Sequence, residues 1–298
     1  MRMLRIRGEE RLTVLLFGLG LIGETLDRAL RLRFSASVQQ YPYDWYDGET
    51  RQDQRAAIVA ALGDATRIAV VWSGGISGFG SSREEMLAEG EILGELIDWA
   101  QRLQTRYQVD FHLISSAGGL FEGQTHCTAA SRPRPLRPYG EGKLYQEERL
   151  LSAHFRRRHI YRPSSVYGGG RSKRLGLATA LAANALTGKT TRIMGNPATL
   201  RDYVLSDDIG RFMARRVVNP GPADEIMTMA SGRPSSVGEM VELVRAKLAL
   251  PMLVQFDPHP SNARHMSFLP SSLPFDWQPT ALECGIADLV NAVRKRLS

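Results

Sequence analysis

Short runs of consecutive apolar residues alternate, in the first half of the chain, with longer stretches whose apolar positions recur every three or four residues. Leu12 to Phe17 (LTVLLF) is the first run and stops at glycine; Arg67 to Trp72 (RIAVVW), Val109 to Ile114 (VDFHLI) and His159 to Arg162 (HIYR) follow. Short runs of this kind, the first of them apolar almost throughout, predict strands buried on both faces. Leu93, Leu96, Ile97, Ala100 and Leu103 form an i, i+3, i+4, i+7, i+10 stripe, which predicts an amphipathic helix within residues 84–107. A further helix is expected over residues 139–155, and a strand near residues 37–44. Alternating strands and helices predict an α/β fold with a doubly wound parallel sheet.

The pattern changes after Tyr167-Gly168-Gly169-Gly170-Arg171. An alanine-rich helix is expected from about 174 to 187, followed by turns at Gly188, Gly195-Asn196-Pro197 and Asn219-Pro220-Gly221-Pro222. Residues 1–170 therefore read as one domain and 171–298 as a smaller, partly interleaved one, with segments near 200–230 returning to the first.

Composition adds exclusions. With 298 residues and 43% hydrophobic content, the chain has ample material for a core. No stretch approaches eighteen uncharged apolar residues, and MRMLRIRGEE has no apolar signal region, so a cytoplasmic protein with no membrane partner is expected. Cys127 and Cys284 stand far apart, in no metal-ligand spacing, so neither a disulfide framework nor a metal site is expected. The net charge of +7 suits acidic partners, but the arginines are scattered and no basic run is interleaved with aromatics. Nucleic acid is not expected as a partner.

Candidate chemistry begins at the first strand's end. Gly18-x-Gly20-x-x-Gly23, between strand and helix, matches the dinucleotide fingerprint. The first glycine makes the turn, the second admits a pyrophosphate, and the third lets helix and strand pack. The helix start at Leu21, Ile22 and Gly23 supplies N–H groups to the phosphates. Asp44, 21 residues after Gly23, is the carboxylate placed to take ribose hydroxyls, or else a solvated turn residue. No arginine directly follows it to receive a 2′-phosphate, which favours NAD over NADP.

Tyr139 and Lys143 share one helix face at i, i+4. An ammonium beside a phenol favours the phenolate and makes it a usable acid or base; the plainer reading is a surface cation beside a half-buried tyrosine. Ser115 and Ser116 end a strand at the sheet edge where open α/β folds bind ligands, and either can orient a substrate oxygen or satisfy the turn backbone. Gly140 and Gly142, in the first turn of the Tyr139 helix, cost about 1 kcal/mol each relative to alanine. Gly140 can let a ligand approach the backbone; the sequence offers no reason for Gly142.

In order along the chain, Gly18-x-Gly20-x-x-Gly23, Ser115-Ser116, Tyr139-x-x-x-Lys143, Arg162-Pro163-Ser164-Ser165-Val166-Tyr167-Gly168 and Arg201-Asp202-Tyr203-Val204-Leu205-Ser206-Asp207-Asp208 resemble the successive motifs of the extended short-chain dehydrogenase/reductases, the NAD-dependent epimerase/dehydratase family. Phe275-Asp276-Trp277-Gln278-Pro279 resembles the family's closing turn. The resemblance implies a Rossmann domain binding NAD or NADP, a Ser-Tyr-Lys catalytic set, and a C-terminal domain that grips a nucleotide sugar.

By position it makes Ser116 the substrate-orienting hydroxyl, with Ser115 as the alternative. Tyr139 becomes the acid/base and Lys143 the residue holding the nicotinamide ribose. Gly18, Gly20, Leu21, Ile22, Gly23, Asp44, Ser73, Tyr139, Lys143 and Pro163 fall along the cofactor, and Ser115, Ser165, Arg201 and Arg264 toward the substrate, with both arginines at the diphosphate. A homodimer through the two long helices is also implied.

Departures narrow the reading. No Asp-Glu pair follows Ser116, which argues against a sugar 4,6-dehydratase. Ser165 stands where many members carry asparagine, and Gly74-Gly75 replaces a common Ala-Ala step. The expected activity is an NAD(P)-dependent oxidoreductase or epimerase acting on a hydroxyl or ketone carbon. The alternative is a dinucleotide-sensing or scaffold protein without chemistry, which has no need of Ser116, Tyr139 and Lys143 together.

Overall fold

The computed structural model describes residues 1–8, 11–75, 77–169, 176–259 and 262–297. Gly170, Arg171 and the expected start of the alanine-rich helix lie outside them. The chain forms two compact units. One comprises Met1–Ser115, Arg137–Tyr161 and Gly210–Met227; the other comprises Ser116–Leu136, Arg162–Ile209 and Thr228–Ser298.

The first unit opens with strand β1 (Arg2–Ile6), then β2 (Leu12–Phe17), helix α1 (Leu21–Phe34), β3 (Ser37–Gln40), α2 (Gly48–Ala60), β4 (Arg67–Trp72), α3 (Arg83–Leu103) and β5 (Gln108–Ile114). The short helix α4 (Ala117–Leu120) falls in the second unit, and the chain then returns for α5 (Pro138–Leu151) and β6 (Arg157–Pro163). Next come β7 (Ser165–Tyr167), α6 (Leu177–Leu186), β8 (Thr191–Met194), β9 (Leu200–Arg201) and β10 (Tyr203–Leu205). Helix α7 (Ser206–Val218) leads back to β11 (Glu225–Met229), and β12 (Ser235–Ser236), α8 (Val237–Leu248), β13 (Val254–Asp257) and α9 (Leu282–Leu297) complete the fold.

Seven strands make the main sheet, in the order β11-β6-β5-β4-β2-β1-β3. The expected parallel core is present: β2 pairs with β4, β4 with β5, and β5 with β6, all parallel. Every residue of β2 and of β4 is buried, as runs covered on both faces require. The α3 stripe reaches this core, with Leu93, Leu96, Ile97 and Ala100 fully buried beside Leu15, Phe17, Val70 and Phe111.

Strand β1 was not expected. It runs antiparallel to both β2 and β3 and stands between them, with Met3 opposite Leu15 on one side and Gln39 on the other. Its arginines hid the pattern, although Met3 and Leu4 are fully buried. Strand β3 is therefore one strand further from β2 than direct pairing would put it, about 4.8 Å. It is exposed along its length and ends at Gln40, four residues before Asp44.

Gly142 finds its reason in helix packing. A Cβ built there would lie 2.5 Å from Met86 Cε and 2.8 Å from Met86 Cβ, so the missing side chain lets α5 close on α3. The Met86 Cβ cannot swing away from its helix. Gly142→Ala should therefore lose more by crowding, about 1–3 kcal/mol, than the roughly 1 kcal/mol it gains in helix propensity. The expected result is a lower urea midpoint for the variant; a raised midpoint would contradict the packing account.

In the second unit, α6, α8 and α9 surround a core that includes Leu181, Met240, Val241, Val244, Ile286 and Leu289. Two-stranded pairs accompany them: β10 with β7 and β13 with β8, both parallel, and β12 with β9, antiparallel. Among the described residues, no helix is long and apolar enough to cross a membrane.

Candidate functional site

The turn after β2 is shaped by its glycines. Gly18 has φ +92°, and a Cβ there would lie 2.5 Å from the Ser73 and Gly74 backbone. One at Gly23 would lie 2.3 Å from the Gly18 carbonyl oxygen and 2.9 Å from Ser73 Oγ. Both positions are closed to side chains, because strand end, turn and helix start press together there. Gly20 differs: a Cβ would meet nothing within 4 Å. Gly20 is the N-cap of α1 and brings no capping side chain, so the first-turn N–H groups of Leu21, Ile22 and Gly23 lie at the helix's positive end without a side-chain cap.

Beside this turn, the Ser73 N–H donates to the Phe17 carbonyl at 2.8 Å. Gly74 lies under Trp45, whose Cη2 would be 2.7 Å from a Cβ. The Trp45 ring also meets Trp72 and Tyr43 edge-on, at 5.5 and 5.3 Å between centroids. The glycine at 74 thus makes room for an indole.

Asp44 shapes the loop that carries Trp45. Its Oδ1 accepts from the Tyr46 and Asp47 N–H groups at 2.7 and 2.8 Å, and these bonds hold its carboxyl below the usual range. The turn role weighed for it is therefore real, and Oδ2 is the oxygen left for a ligand.

The second cluster in this unit centres on α5. Pro138 sits in the first turn of the helix, where its missing N–H costs nothing. Tyr139 is half-buried and Lys143 is buried, with Nζ 5.8 Å from the Tyr139 ring centroid. Lys143 Nζ donates to Glu89 Oε1 at 2.9 Å and to Gln146 Oε1 at 3.0 Å. Burial works to lower the Lys143 pKa, but the Glu89 charge and hydrogen bond, with Tyr139 contributing, raise it overall. Burial likewise opposes ionisation of Glu89, and Lys143 and Gln146 overcome it. The pair is ionised at neutral pH.

Phe79 lies against Tyr139, at 5.6 Å between ring centroids, and the Arg137 guanidinium sits 4.8 Å over the Phe79 ring. Sequence reading missed Glu89, Gln146, Phe79 and Trp45. Glu89 alone left a signal: it falls four residues before Leu93, as a carboxylate on the buried stripe of α3.

The chain passes between the units at Ser115 and Ser116. Ser115 is buried, and among the described residues its Oγ has no hydrogen-bond partner. Ser116 caps α4, with Oγ accepting the Gly119 N–H at 3.0 Å; its own hydroxyl proton is still available to donate.

In the second unit, Pro163 ends β6 and Ser165 begins β7, its N–H donating to the Asp202 carbonyl at 2.9 Å. Arg201 and Arg264 are brought together, although the contact is from the Arg201 guanidinium to the Arg264 backbone carbonyl. The Asp202 carboxylate accepts the Ser231 and Gly232 N–H groups, at 2.5 and 3.0 Å.

A model of the NAD dependent epimerase/dehydratase family matches residues 38–229. The chain belongs to this family. No significant match was found among curated proteins. Among solved structures, MoeE5 in complex with UDP-glucose and NAD is 19% identical, with a TM-score of 0.79 over 96% of this chain and 99% of that one. The UDP-glucose 4-epimerase of Thermus thermophilus in complex with NAD is 18% identical, with a TM-score of 0.75 over 95% and 98%. RMD from Pseudomonas aeruginosa, complexed with NADPH, is 17% identical, with a TM-score of 0.71 over 95% and 99%. At these identities the likeness shows a shared fold.

The family implies a nicotinamide dinucleotide, and this epimerase/dehydratase chain has residues to fit one. The open face at Gly20, backed by the closed positions Gly18 and Gly23, is the cradle a pyrophosphate needs. Glu89 joins the Tyr139 and Lys143 pair through its bond to the ammonium.

Proposed function

We propose that the protein is an NAD(P)-dependent epimerase or oxidoreductase acting on a hydroxyl or ketone carbon of a nucleotide sugar. The observation that carries this reading is the presence, in one unit, of an open glycine cradle at a helix start and a buried ammonium beside a half-buried phenol. A non-catalytic dinucleotide sensor needs the first and has no use for the second.

A bound nicotinamide would supply the hydride acceptor and donor. Tyr139 takes the proton of the reacting hydroxyl as base and returns it as acid. Lys143 stabilises the phenolate and reaches the nicotinamide ribose, while Ser116, with Ser115 as the alternative, orients the reacting oxygen by hydrogen bonding. Leu21, Ile22 and Gly23 N–H groups hold the pyrophosphate, Asp44 Oδ2 accepts from the adenosine ribose, and Ser73 and Pro163 border the cofactor. Arg201 and Arg264 match the diphosphate of the sugar nucleotide, for which planar guanidinium forks suit phosphate oxygens, and Ser165 completes the substrate contacts.

The structures of relatives named with UDP-glucose and NAD support a UDP-sugar and NAD as the first compounds to try. The exposed apolar residues Leu87, Tyr145 and Leu151 on α3 and α5 support a homodimer through those helices, in a cytoplasmic protein.

Mass spectrometry of the supernatant after denaturation is expected to release NAD in preference to NADP, because Asp44 disfavours a 2′-phosphate by charge. Incubation with UDP-glucose, UDP-galactose and UDP-glucuronic acid should then yield a stereoisomer or a keto product by NMR. Failure to bind either dinucleotide in calorimetry would overturn the reading.

A further inference from the structure

We infer that Glu89 is a positioning residue for the Tyr139 and Lys143 pair, fixing the direction of the Lys143 ammonium and offsetting its charge where Tyr139 feels it. The inference rests on the reading of Tyr139 as an acid/base, and its observations are the bonds of one carboxylate. Glu89 Oε1 accepts from Lys143 Nζ at 2.9 Å and from Gln146 Nε2 at 3.0 Å, while Gln146 Oε1 accepts from Lys143 Nζ at 3.0 Å. The three side chains close a triangle in which every pair is bonded. Glu89 and Lys143 are each only 6% exposed at the side chain.

Two consequences follow. An ammonium has three N–H donors and no acceptor. Glu89 and Gln146 engage two of them, so one N–H remains for Tyr139 or a ligand hydroxyl, and the triangle sets its direction. A lysine on a free four-carbon stem would have no such constraint.

The second consequence is electrostatic. A full positive charge at Lys143 would pull the Tyr139 phenol strongly toward phenolate. With a carboxylate 2.9 Å from the ammonium and the buried Glu147 also acting on it, part of that pull is offset, and Glu89 supplies the bonded share.

Glu89 also reaches the segment after β4. Its Oε2 accepts the Ser77 N–H at 3.1 Å, and two residues further on Phe79 rests against Tyr139. One carboxylate therefore holds the ammonium and anchors the backbone that presents the Tyr139 neighbour. A purely structural ion pair joining α3 to α5 would explain the Lys143 bond but would leave Tyr139 indifferent to the Glu89 charge.

The test is the ultraviolet titration of Tyr139, taken as the tyrosinate absorbance of the full chain minus that of its Tyr139→Phe counterpart. It is run with native Glu89 and with Glu89→Gln. Glu89→Gln keeps the shape and removes the charge, so Tyr139 is expected to titrate about one unit lower in pH. An unchanged midpoint in the folded variant would overturn the inference.

If Glu89→Gln does not fold, because it leaves a buried ammonium unpaired, the comparison moves to Lys143→Gln against Lys143→Gln with Glu89→Gln. There the double variant should titrate lower, and equal midpoints would overturn the inference equally. Neither arm needs substrate or turnover, so this result and the presence of enzymatic activity are decided separately.

Discussion

Replacing Tyr139 with phenylalanine is expected to lower turnover of a nucleotide sugar by about 10²- to 10⁴-fold while leaving dinucleotide affinity within about twofold. The substitution removes only the phenolic oxygen. Phenylalanine keeps the ring against Phe79, at 5.6 Å between centroids, and the aromatic face toward Lys143. The fold should therefore be unaffected, and the loss should appear in kcat, because proton transfer belongs to the transition state and not to binding. Steady-state kinetics on wild type and variant, with NAD affinity from calorimetry, check this. Equal kcat values would remove Tyr139 from the chemistry.

Acid should weaken the fold well before the carboxylates titrate. His112 and His159 sit opposite each other on β5 and β6, their rings stacked at 4.6 Å, and both are fully buried. His112 Nδ1 lies 3.0 Å from the Tyr161 hydroxyl, and His159 Nδ1 lies 3.3 Å from Glu225 Oε2. Burial, with Arg216 and Arg157 adding positive charge, brings His159 down to about 4. Burial, then His159 and Arg67, lower His112 well below its ordinary value.

Both groups are neutral in the folded chain and take up protons near pH 6.5 when unfolded. Their contribution is thus complete above about pH 6.5 and is lost as pH falls from there toward 4. For His159 alone the full span is about 3 kcal/mol, at 1.36 kcal/mol per unit. Urea unfolding at pH 7 and pH 5 should show a loss of about 2 kcal/mol from His159, with His112 adding to it in the same direction. Replacing both with leucine should flatten this slope; an unchanged slope would assign the acid sensitivity elsewhere.

How much of this was legible in the sequence depends on the kind of interaction. The parallel core could be read from β2, β4 and β5 because strands covered on both faces are short runs rich in apolar residues, and the α3 stripe had a full helical period. Strand β1 was hidden because Arg2 and Arg5 interrupt an already short run, and its burial comes from pairing on both sides, which no local pattern reports. The strand before Asp44 was read too long: Pro42 and the Asp44 turn end it at Gln40.

The site was legible where a motif carries its own spacing, as with the glycines at 18, 20 and 23 or Tyr139 and Lys143. It was illegible where function depends on helices meeting. Gly142 had no account until Met86 was seen against it, and Glu89 had none until Lys143 was. Both are contacts between α3 and α5, made by residues more than fifty positions apart. In each case the local anomaly, a glycine in a helix or a carboxylate on an apolar stripe, marked the contact without naming its partner.

The most direct measurement is rapid mixing of the NAD-loaded protein with UDP-glucose or UDP-galactose, following the absorbance of reduced nicotinamide. Wild type is expected to show it rising to a steady level, with the Tyr139→Phe variant at least about a hundredfold slower. Nicotinamide that stays oxidised with every nucleotide sugar, or that is reduced equally fast by both proteins, would contradict the account.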